Sequence, residues 1–363
     1  SATYNFDVFD FHHPLYIMYS SGTTGKPKSI VHSSGGTLVQ HIKELSLHTN
    51  IKKGDKVFYY TTCGWMMWNW LISSLSLGAT VVLYDGNPFF PNKNRLLDMA
   101  SRSKINIFGT SAKYIDSLRM FGCKPGDSFN FDDLYLILST GSPLTEENFQ
   151  FVYDHWKKNV QLSSISGGTD IISCFALGNP NLPVFLGDLQ CLGLGMDVKS
   201  YDENGNSIIS QKGELVCETP FPSMPIYFWN DKDGNKYHEA YFTKFKQKWT
   251  HGDYISINKI GGVRIFGRSD ATLNPGGVRI GTSEIYKVVE KIDGVLDSVA
   301  VSKNVEGDEK ILLFVKVNEN FNDKAFTLIK ERLKVECSPK HVPYKVFKVD
   351  DIPYTLNGKK IEI

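Results

Sequence analysis

The chain has 363 residues, of which 41% are hydrophobic and 22% are charged, a balance typical of a globular protein with a sizeable core and about two domains. Its 40 basic and 39 acidic side chains leave a net charge of +1, which excludes binding to nucleic acid or to an anionic membrane surface through strong positive charge. No apolar run is long enough to cross a bilayer, so the sequence predicts no membrane partner.

The six cysteines show neither close pairing nor metal-ligand spacing, and the nine histidines form no HExxH pattern. These patterns predict reduced thiols in a reducing compartment and no dedicated zinc site. The chain begins at Ser1 with neither an initiator Met nor a signal-peptide pattern, so we expect it to be a piece of a longer protein.

Apolar runs alternate with helical patterns over the first part of the chain. Strands are predicted at 14–19, 56–60, 79–84, 105–109, 134–138 and 160–164, the first of them buried. Helices are predicted at 35–48, 66–76, 94–102, 111–120 and 145–156. This alternation predicts an α/β fold with a largely parallel sheet, in which ligands bind beyond the carboxyl ends of the strands.

The pattern changes after residue 185. Residues 185–268 are rich in Gly, Pro and short alternating runs, which predict a β subdomain. A polar, Gly-rich linker at 271–281 separates it from a small α+β unit with helices from Thr282 or Ser283 and at 323–336 and strands at 295–302, 311–317 and 345–349. We therefore predict two domains, residues 1–269 and 270–363.

The segment YSSGTTGKPK (Tyr19–Lys28), called here the phosphate loop, lies between the first predicted strand and the first predicted helix. Its hydroxyl and backbone N–H groups can surround phosphate oxygens, and its lysines supply positive charge. The candidate ligands are Ser20, Ser21, Gly22, Thr23, Thr24, Gly25, Lys26 and Lys28. Only two residues separate Gly22 from Gly25, and Pro27 follows Lys26, which excludes a generic P-loop ATPase. The residues leave open a phosphate loop of another kind or a plain surface turn.

Two further loops follow predicted strands. In ISGGTD (Ile165–Asp170), Thr169 and Asp170 could offer a hydroxyl and a carboxylate to phosphate and Mg²⁺, although an Asx turn explains them equally well. The loop TGSPLT (Thr140–Thr145) could contact a ligand or could simply begin a helix capped by Thr145. The two interpretations of this second loop are compatible.

Near the end of the chain the local patterns are weaker. WTHGD (Trp249–Asp253) is by itself a turn before a strand, and Arg268 at a strand end is ordinarily a solvated side chain. Asp270 stands where the composition changes, as any linker residue does. The segment PYTLNGK (Pro353–Lys359) is by composition a basic tail.

Taken together, these segments resemble the signature motifs of the adenylate-forming acyl-activating enzymes, the family of acyl-CoA synthetases, luciferases and peptide-synthetase adenylation domains. The matches follow the order of that family over nearly the whole chain. The resemblance implies a large adenylation domain, of which this chain holds the carboxy-terminal part, and a small mobile domain. It also implies that the phosphate loop binds nucleotide phosphates, that Gly141, Ser142 and Pro143 contact adenine, and that Asp253 and Arg268 hold the ribose.

The resemblance also implies the catalytic residues. Lys359 would bridge the acyl carboxylate and the α-phosphate during adenylation, whereas Lys360 is one residue out of register with the motif. Thr169 and Asp170 would act beside the phosphates, and Asp170 would bind Mg²⁺ at a position where the family usually carries Glu. The hinge would be Asp270, and the residues that meet coenzyme A would be Gly276, Gly277 and Arg279.

Within the family, several segments are most similar to members that activate acetoacetate, among them TTCGWMMWNW (61–70) and SISGGTDI (164–171). This implies a cytosolic, Mg²⁺-dependent ligase that forms acetoacetyl-AMP from acetoacetate and ATP and passes the acyl group to coenzyme A. The acyl pocket would include Trp65, Gly167 and Gly168, and the glycines predict a roomier pocket than that of short-acid relatives.

Two alternatives remain open from the sequence. One is a ligase for another short acid, namely acetate, propionate or butyrate. The other is a non-catalytic nucleotide-binding fragment, because little of the stretch that normally precedes the phosphate loop is present and the chain alone could be inactive. The oligomeric state is not predicted.

Overall fold

The computed structural model describes residues 5–20, 27–269, 273, 280–305, 308–354 and 360–361. It has the mixed α/β architecture predicted from the sequence, with a parallel sheet and several antiparallel sheets. Within these described ranges, no helix is both long and apolar enough to cross a membrane.

The first two strands form a hairpin. β1 (Pro14–Ser20) pairs antiparallel with β2 (Lys28–Ser33). The strand predicted at 14–19 is confirmed, but its predicted burial is wrong, and β2 was not predicted. Leu15, Ile17 and Tyr19 of β1 are exposed. Hydrophobicity identified the strand but could not show which side chains the rest of the fold covers.

The first helix follows this hairpin. α1 (Ser34–Lys43) begins after Ser33, whose side chain accepts a hydrogen bond from Gly36 N at 3.1 Å. It continues as a π-helical turn, Glu44–His48, so the helical segment agrees with the predicted range 35–48.

A parallel sheet forms the frame of the large unit. Its strands are β3 (Lys56–Tyr59), β4 (Thr80–Val82), β5 (Ile107–Ser111), β6 (Leu136–Thr140) and β7 (Gln161–Ser164), arranged as β4-β3-β5-β6-β7. Each pairing is parallel, as predicted. Phe58 belongs to one hydrophobic cluster while Val57 and Tyr59 belong to another, because successive side chains point to opposite faces of a sheet.

Helices cover both faces of this sheet. They are α2 (Met66–Ser73), α3 (Arg95–Ser103), α4 (Ala112–Met120), the short α5 (Pro125–Ser128) and α6 (Glu146–Phe151). α2 continues as a 3-10 turn (Ser74–Leu77) and α6 as a π-helical turn (Val152–Trp156). The predicted helices are confirmed to within a few residues, and α5 is an addition.

A small antiparallel sheet follows the last parallel strand. β8 (Ser166–Gly168) pairs with β9 (Ser173–Leu177), and β10 (Cys191–Leu192) pairs with the other edge of β9. The turn between β8 and β9 consists of residues 169–172 and therefore carries Thr169 and Asp170.

A larger antiparallel sheet confirms the β-rich region predicted at 185–268. Its strands are β11 (Val198–Tyr201), β12 (Ser207–Ile208), β13 (Gly213–Cys217), β15 (Trp249–Ile257) and β16 (Val263–Arg268), arranged as β12-β11-β13-β15-β16. β14 (Tyr227–Phe228) pairs with β2 instead, and α7 (Asn235–Tyr241) precedes β15.

The carboxy-terminal unit has its own sheet and its own core. Its elements are α8 (Thr282–Val289), β17 (Val295–Val305), β18 (Asp308–Val317), α9 (Lys324–Glu336) and β19 (Lys345–Val349), with the strands arranged β17-β18-β19. Ile285, Leu313 and Leu333 pack together in a cluster separate from those of the large unit. A separate core agrees with a second domain, while the boundary at residue 270 stays a prediction because Asp270 lies outside the described residues.

Candidate functional site

The phosphate loop connects the two strands of the first hairpin. Its last residue, Lys28, pairs with Ser20 at the end of the β1–β2 ladder nearest the connecting segment. The Ser20 hydroxyl is buried and has no hydrogen-bond partner in the described part of the chain. The remaining candidates lie outside the described residues, so their role stays a prediction: Ser21, Gly22, Thr23, Thr24, Gly25 and Lys26.

Lys28, Asp170 and Tyr241 form a largely buried cluster at the start of β2. The Lys28 ammonium and the Tyr241 hydroxyl both donate to Asp170 Oδ1, the second of these at 2.5 Å. Lys28 Nζ also lies 3.3 Å from the Tyr241 hydroxyl. Only 12% of the Asp170 side chain is exposed. The cluster places one positive charge and one carboxylate beside the predicted phosphate site.

The surroundings of Asp170 favour its ionised form. Burial alone would raise its pKa, but the charge of Lys28, followed by that of His251 and the hydrogen bonds from Lys28 and Tyr241, holds the pKa well below its usual range. Burial and the neighbouring Asp170 charge raise the pKa of Tyr241, so this hydroxyl keeps its proton and remains a donor. The carboxylate is therefore an acceptor, and neither residue is poised to transfer a proton near neutral pH.

The turn that carries Asp170 is anchored from β2. His32 Nε2 lies 2.9 Å from the carbonyl oxygen of Thr169 and donates to it, because a carbonyl oxygen can only accept. Burial lowers the pKa of His32 to about 4, although the bond to Thr169 opposes this shift. A neutral imidazole thus holds the backbone of Thr169 and leaves the Thr169 side chain partly exposed.

The two residues predicted to hold a ribose are neighbours in space. Asp253 on β15 is paired in register with Arg268 on β16, and Arg268 Nη1 lies 3.7 Å from Asp253 Oδ1. His251 Nε2 lies 3.5 Å from Asp253 Oδ2. An aspartate held between two such groups can accept hydrogen bonds from vicinal hydroxyls.

His251 links the ribose pair to the turn at Asp170. A Cβ added to Gly168 would lie 3.3 Å from His251 Nε2, so a larger residue would require the imidazole to shift by a few tenths of an ångström. Its ring packs edge-on against Phe175 at 4.7 Å. Burial lowers the pKa of His251, while Asp253 and Asp170 oppose the shift. The predicted phosphate and ribose residues therefore meet around one buried imidazole.

The predicted adenine loop lies near the predicted acyl pocket. Gly141 has a φ of +94°, and a Cβ there would lie 3.9 Å from Trp65 Cζ2. Thr140 Oγ1 donates to the carbonyl oxygen of Ile165 at 2.9 Å, which ties this loop to the segment leading into β8. Ser142 and Pro143 are exposed. The structure thus brings Gly141 and Trp65 together.

The helix-entry interpretation of the same loop also holds. Thr145 Oγ1 accepts a hydrogen bond from Asn148 N at 3.3 Å at the start of α6. The loop therefore has a structural role that is independent of any ligand.

Gly167 has a structural reason for lacking a side chain. A Cβ at this position would lie 1.9 Å from the backbone oxygen of Ser173 on the paired strand. Close approach of the two strands of the hairpin therefore requires glycine there. The assignment of Gly167 and Gly168 to a roomy acyl pocket stays a prediction.

Five predicted residues lie outside the described residues: Lys359, Asp270, Gly276, Gly277 and Arg279. The neighbouring Lys360 is described, and its ammonium lies 2.9 Å from Asp297 Oδ1 and also pairs with Glu290. It lies 4.0 Å from the centre of the Tyr286 ring as well. Lys360 is thus held within the carboxy-terminal unit.

The residues around Asp170 fit a magnesium ion held mainly by substrate. Among the described residues, no group of three or more His, Cys, Asp or Glu side chains could form a metal cage. Mg²⁺ in nucleotide enzymes needs only one or two carboxylates, with phosphates and water completing its shell. Asp170 and the Thr169 hydroxyl supply oxygen ligands of that kind, and Lys28 would share the carboxylate.

Three residues of the candidate site were not predicted from the sequence, namely Tyr241, His32 and His251. His251 lies inside the WTHGD segment, so the segment itself was the available signal. Tyr241 ends a short helix and His32 lies in a strand that was not predicted, so the sequence offered no comparable signal for either.

Comparisons with known proteins agree with the family suggested by the motifs. The family model described as AMP-binding enzyme matches residues 6–228. The chain is 52% identical to the acetoacetyl-coenzyme A synthetase of Rhizobium meliloti, over 99% of this chain and 55% of that protein. It is 50% identical to the acetoacetyl-CoA synthetase of Gallus gallus, over 99% of this chain and 54% of that protein.

A solved structure extends the comparison to three dimensions. The acetoacetyl-CoA synthetase from Streptomyces lividans superposes with a TM-score of 0.90 at 43% identity, over 98% of this chain and 55% of that chain. The chain therefore spans about half the length of the curated relatives that it matches.

Proposed function

The chain belongs to the AMP-binding enzyme family, and from this premise we propose that it takes part in the ATP-dependent ligation of acetoacetate to coenzyme A. The observation that carries the proposal is that the Lys28–Asp170 pair and the Asp253–Arg268 pair both lie near enough to His251 for their charges to act on its pKa. These pairs offer positive charge for phosphates and acceptors for ribose hydroxyls within one site.

The first half-reaction joins the acid to the nucleotide. A carboxylate oxygen of acetoacetate attacks the α-phosphorus of ATP, the bond from this phosphorus to the bridging oxygen breaks, and pyrophosphate leaves. Lys28 would bind the phosphate oxygens, and the ionised Asp170 would keep Lys28 in place. Mg²⁺, when bound beside Asp170, would neutralise phosphate charge. The protein contributes mainly position and electrostatic stabilisation.

The second half-reaction transfers the acyl group. The sulfur of coenzyme A attacks the acyl carbonyl carbon of acetoacetyl-AMP, the thioester forms, the thiol proton is released, and AMP leaves. The predicted coenzyme A residues Gly276, Gly277 and Arg279 would act here, as would rotation about Asp270. Lys359 belongs to the first half-reaction in this scheme.

The choice of acetoacetate rests on the relatives. Proteins named acetoacetyl-CoA synthetase match 99% of the chain at about 50% identity. A ligase for acetate, propionate or butyrate would share the same nucleotide chemistry, and the pocket around Trp65 to Trp70 and Gly167 would discriminate between the acids. The length of the chain relative to these proteins favours a second candidate, a nucleotide-binding part without activity of its own.

The cysteines support a cytosolic location. All six are free thiols. Burial raises the pKa of Cys217 to about 11, although hydrogen bonds to the backbone at Thr219 and Asp197 oppose the shift, and burial raises the pKa of Cys174 well above its usual value. Protonated, unpaired thiols fit a reducing compartment.

The test is acid-dependent exchange of pyrophosphate into ATP. It should be run on this chain and on a chimera in which the chain replaces the matching part of the Rhizobium meliloti protein, with acetoacetate, acetate, propionate and butyrate. We expect the fastest exchange with acetoacetate in the chimera. A preference for another acid would retain the ligase and overturn the substrate. No exchange in a folded chimera, beside an active parent, would leave the non-catalytic candidate.

A further inference from the structure

Ile172 closes the turn that carries Thr169 and Asp170 in a conformation that β-branched residues rarely adopt. Its φ is +47°, in the left-handed region, and its side chain is fully buried. Two overlapping hydrogen bonds of 3.2 Å form the turn, from Ile171 N to Gly168 O and from Ile172 N to Thr169 O. Hairpin turns commonly end in a left-handed residue, for which glycine is best suited. The turn is therefore strained at Ile172 and persists only if its surroundings hold it.

His41 on α1 holds the carbonyl group of this strained residue. His41 Nε2 lies 2.6 Å from Ile172 O, and it must donate because a carbonyl oxygen can only accept. His41 Nδ1 lies 2.9 Å from Ser73 Oγ. The imidazole is fully buried, and burial lowers its pKa, so the ring is neutral and its Nδ1 contacts the Ser73 hydroxyl, which also lies 3.0 Å from the carbonyl oxygen of Asn69. Both nitrogens are engaged, which fixes the ring relative to the turn.

The helical segment formed by α1 and its π-helical turn also forms hydrogen bonds with the strand that follows the turn. Glu44 Oε1 accepts from Cys174 N at 3.0 Å. His48 Nδ1 donates to Gly178 O at 2.7 Å. These buried contacts set the position of β9, so the turn cannot relieve its strain by sliding the strand. His41 is the member of this series that acts at the strained residue itself.

We propose that His41 is a positioning residue for the Asp170 site. By binding the Ile172 carbonyl, it holds the turn in its strained form and keeps Asp170 in place against Lys28. Relaxation of φ at Ile172 would rotate the chain two residues beyond Asp170 and displace the carboxylate. The inference rests on the proposed function for its effect on ATP chemistry, whereas the restraint that His41 places on the turn rests on geometry alone.

The donor is tested with two substitutions at His41. His41→Gln keeps an N–H donor at a similar reach, and His41→Leu removes the donor at a similar size. In this chain, we expect His41→Leu to accelerate hydrogen exchange at the Ile172 amide on the order of ten-fold and His41→Gln to change it far less, because this amide donates within the turn. In the chimera, His41→Leu should lower the maximal pyrophosphate-exchange rate on the order of ten-fold, with little change in KM for acetoacetate.

The strain is tested with alanine and glycine at two neighbouring isoleucines. Ile171 is also fully buried in the same turn but is not among the positive-φ residues of the described chain. At position 172, glycine should give a higher Tm than alanine, by about 2–4 °C, and at position 171 the order should reverse. The effect of His41→Leu on amide exchange should be smaller in the Ile172→Gly background, because glycine adopts a positive φ without strain and does not need the hydrogen bond from His41 to hold it there.

Several outcomes would overturn the inference. They are equal amide exchange in the Leu and Gln variants, the same Ala–Gly order at both positions, or a lower Tm in His41→Leu with an unchanged pyrophosphate-exchange rate per folded molecule. If the unsubstituted chimera shows no pyrophosphate exchange, the proposed function has failed. Amide exchange and Tm then test by themselves whether His41 holds the turn.

Discussion

The hydroxyl of Tyr241 donates to Asp170 Oδ1 at 2.5 Å, across 71 positions of sequence. The same oxygen binds the Lys28 ammonium, so one carboxylate oxygen ties α7 and β2 to the turn that carries Asp170. Tyr241 also stacks on Trp249 at 3.7 Å, at the start of the strand that carries Asp253. This aromatic pair therefore connects the phosphate side of the site to the ribose side.

Removing the Tyr241 hydroxyl should weaken both the site and the fold. In Tyr241→Phe, the ring can still stack on Trp249, but Asp170 loses a donor, and hydrogen bonds to charged groups contribute about 1.5–3 kcal/mol. We expect a loss of unfolding free energy in that range, measured by urea unfolding, and slower pyrophosphate exchange in the chimera.

Tyr237 provides the matched control for this change. Its hydroxyl is buried without a hydrogen-bond partner in the described part of the chain, and its ring packs 5.6 Å from that of Tyr241. Tyr237→Phe should leave stability and exchange unchanged or slightly improved, because an unsatisfied polar group is removed. Equal losses in the two variants would contradict the role given to the Tyr241 hydroxyl.

Comparing Asp170→Asn with Asp188→Asn should distinguish a loss of activity from a loss of stability. Asp170→Asn leaves Lys28 without its partner, so we expect the pyrophosphate-exchange rate to fall about 10²-fold or more. Asp188 is another buried carboxylate, with Oδ1 2.5 Å from Arg264 Nε, and it lies outside the proposed site. Asp188→Asn should lower Tm without lowering exchange per folded molecule. Exchange that falls equally in both variants would show that loss of folding explains the result.

The pH dependence of stability should report His32. Burial lowers its pKa from 6.5 to about 4, so the unfolded chain binds a proton between these values that the folded protein does not. Unfolding free energy therefore decreases as pH falls through this window. His32→Gln removes this proton, and the slope of unfolding free energy against pH should become shallower by about 1.4 kcal/mol per pH unit. Urea unfolding across the window measures the slope, and an unchanged slope would contradict the buried neutral state.

The two adjacent lysines near the end of the chain should behave differently. Lys359→Ala should slow adenylate formation about 10²–10³-fold in quench-flow experiments on the chimera, and it should affect thioester formation from preformed adenylate far less. Equal loss in both half-reactions would rule out the role of Lys359 in adenylation.

Lys360→Met is the control for this lysine pair. The Lys360 ammonium is bound by the buried Asp297 and the more exposed Glu290, so its removal leaves these two carboxylates without their shared partner. We expect a loss of stability of the carboxy-terminal unit that is smaller than the roughly 3–5 kcal/mol of a fully buried pair, because water screens the Glu290 carboxylate. Adenylate formation per folded molecule should exceed that of Lys359→Ala, and the reverse order would exchange the two roles.

Features carried by local pattern were predictable from the sequence. The strands of the parallel sheet and most helices follow from periodicity and end within a few residues of their predicted bounds, because these patterns repeat over whole elements. Thr145 was identifiable as a cap because the capping bond joins it to Asn148, only three residues away. The hairpin at β1–β2 was not found, because its second strand leads directly into a helix.

The sequence by itself determined the family motifs, the alternation of strands and helices, and the chemical types of the candidate ligands. Only the tertiary structure decided that Asp170 is bound by Lys28 and Tyr241, that His251 lies beside Asp253, and that His41 donates to the carbonyl oxygen of Ile172. The physical reason is separation along the chain. Lys28 and Asp170 are 142 positions apart, and no local periodicity encodes which side chains burial brings together or how that burial shifts their pKa values.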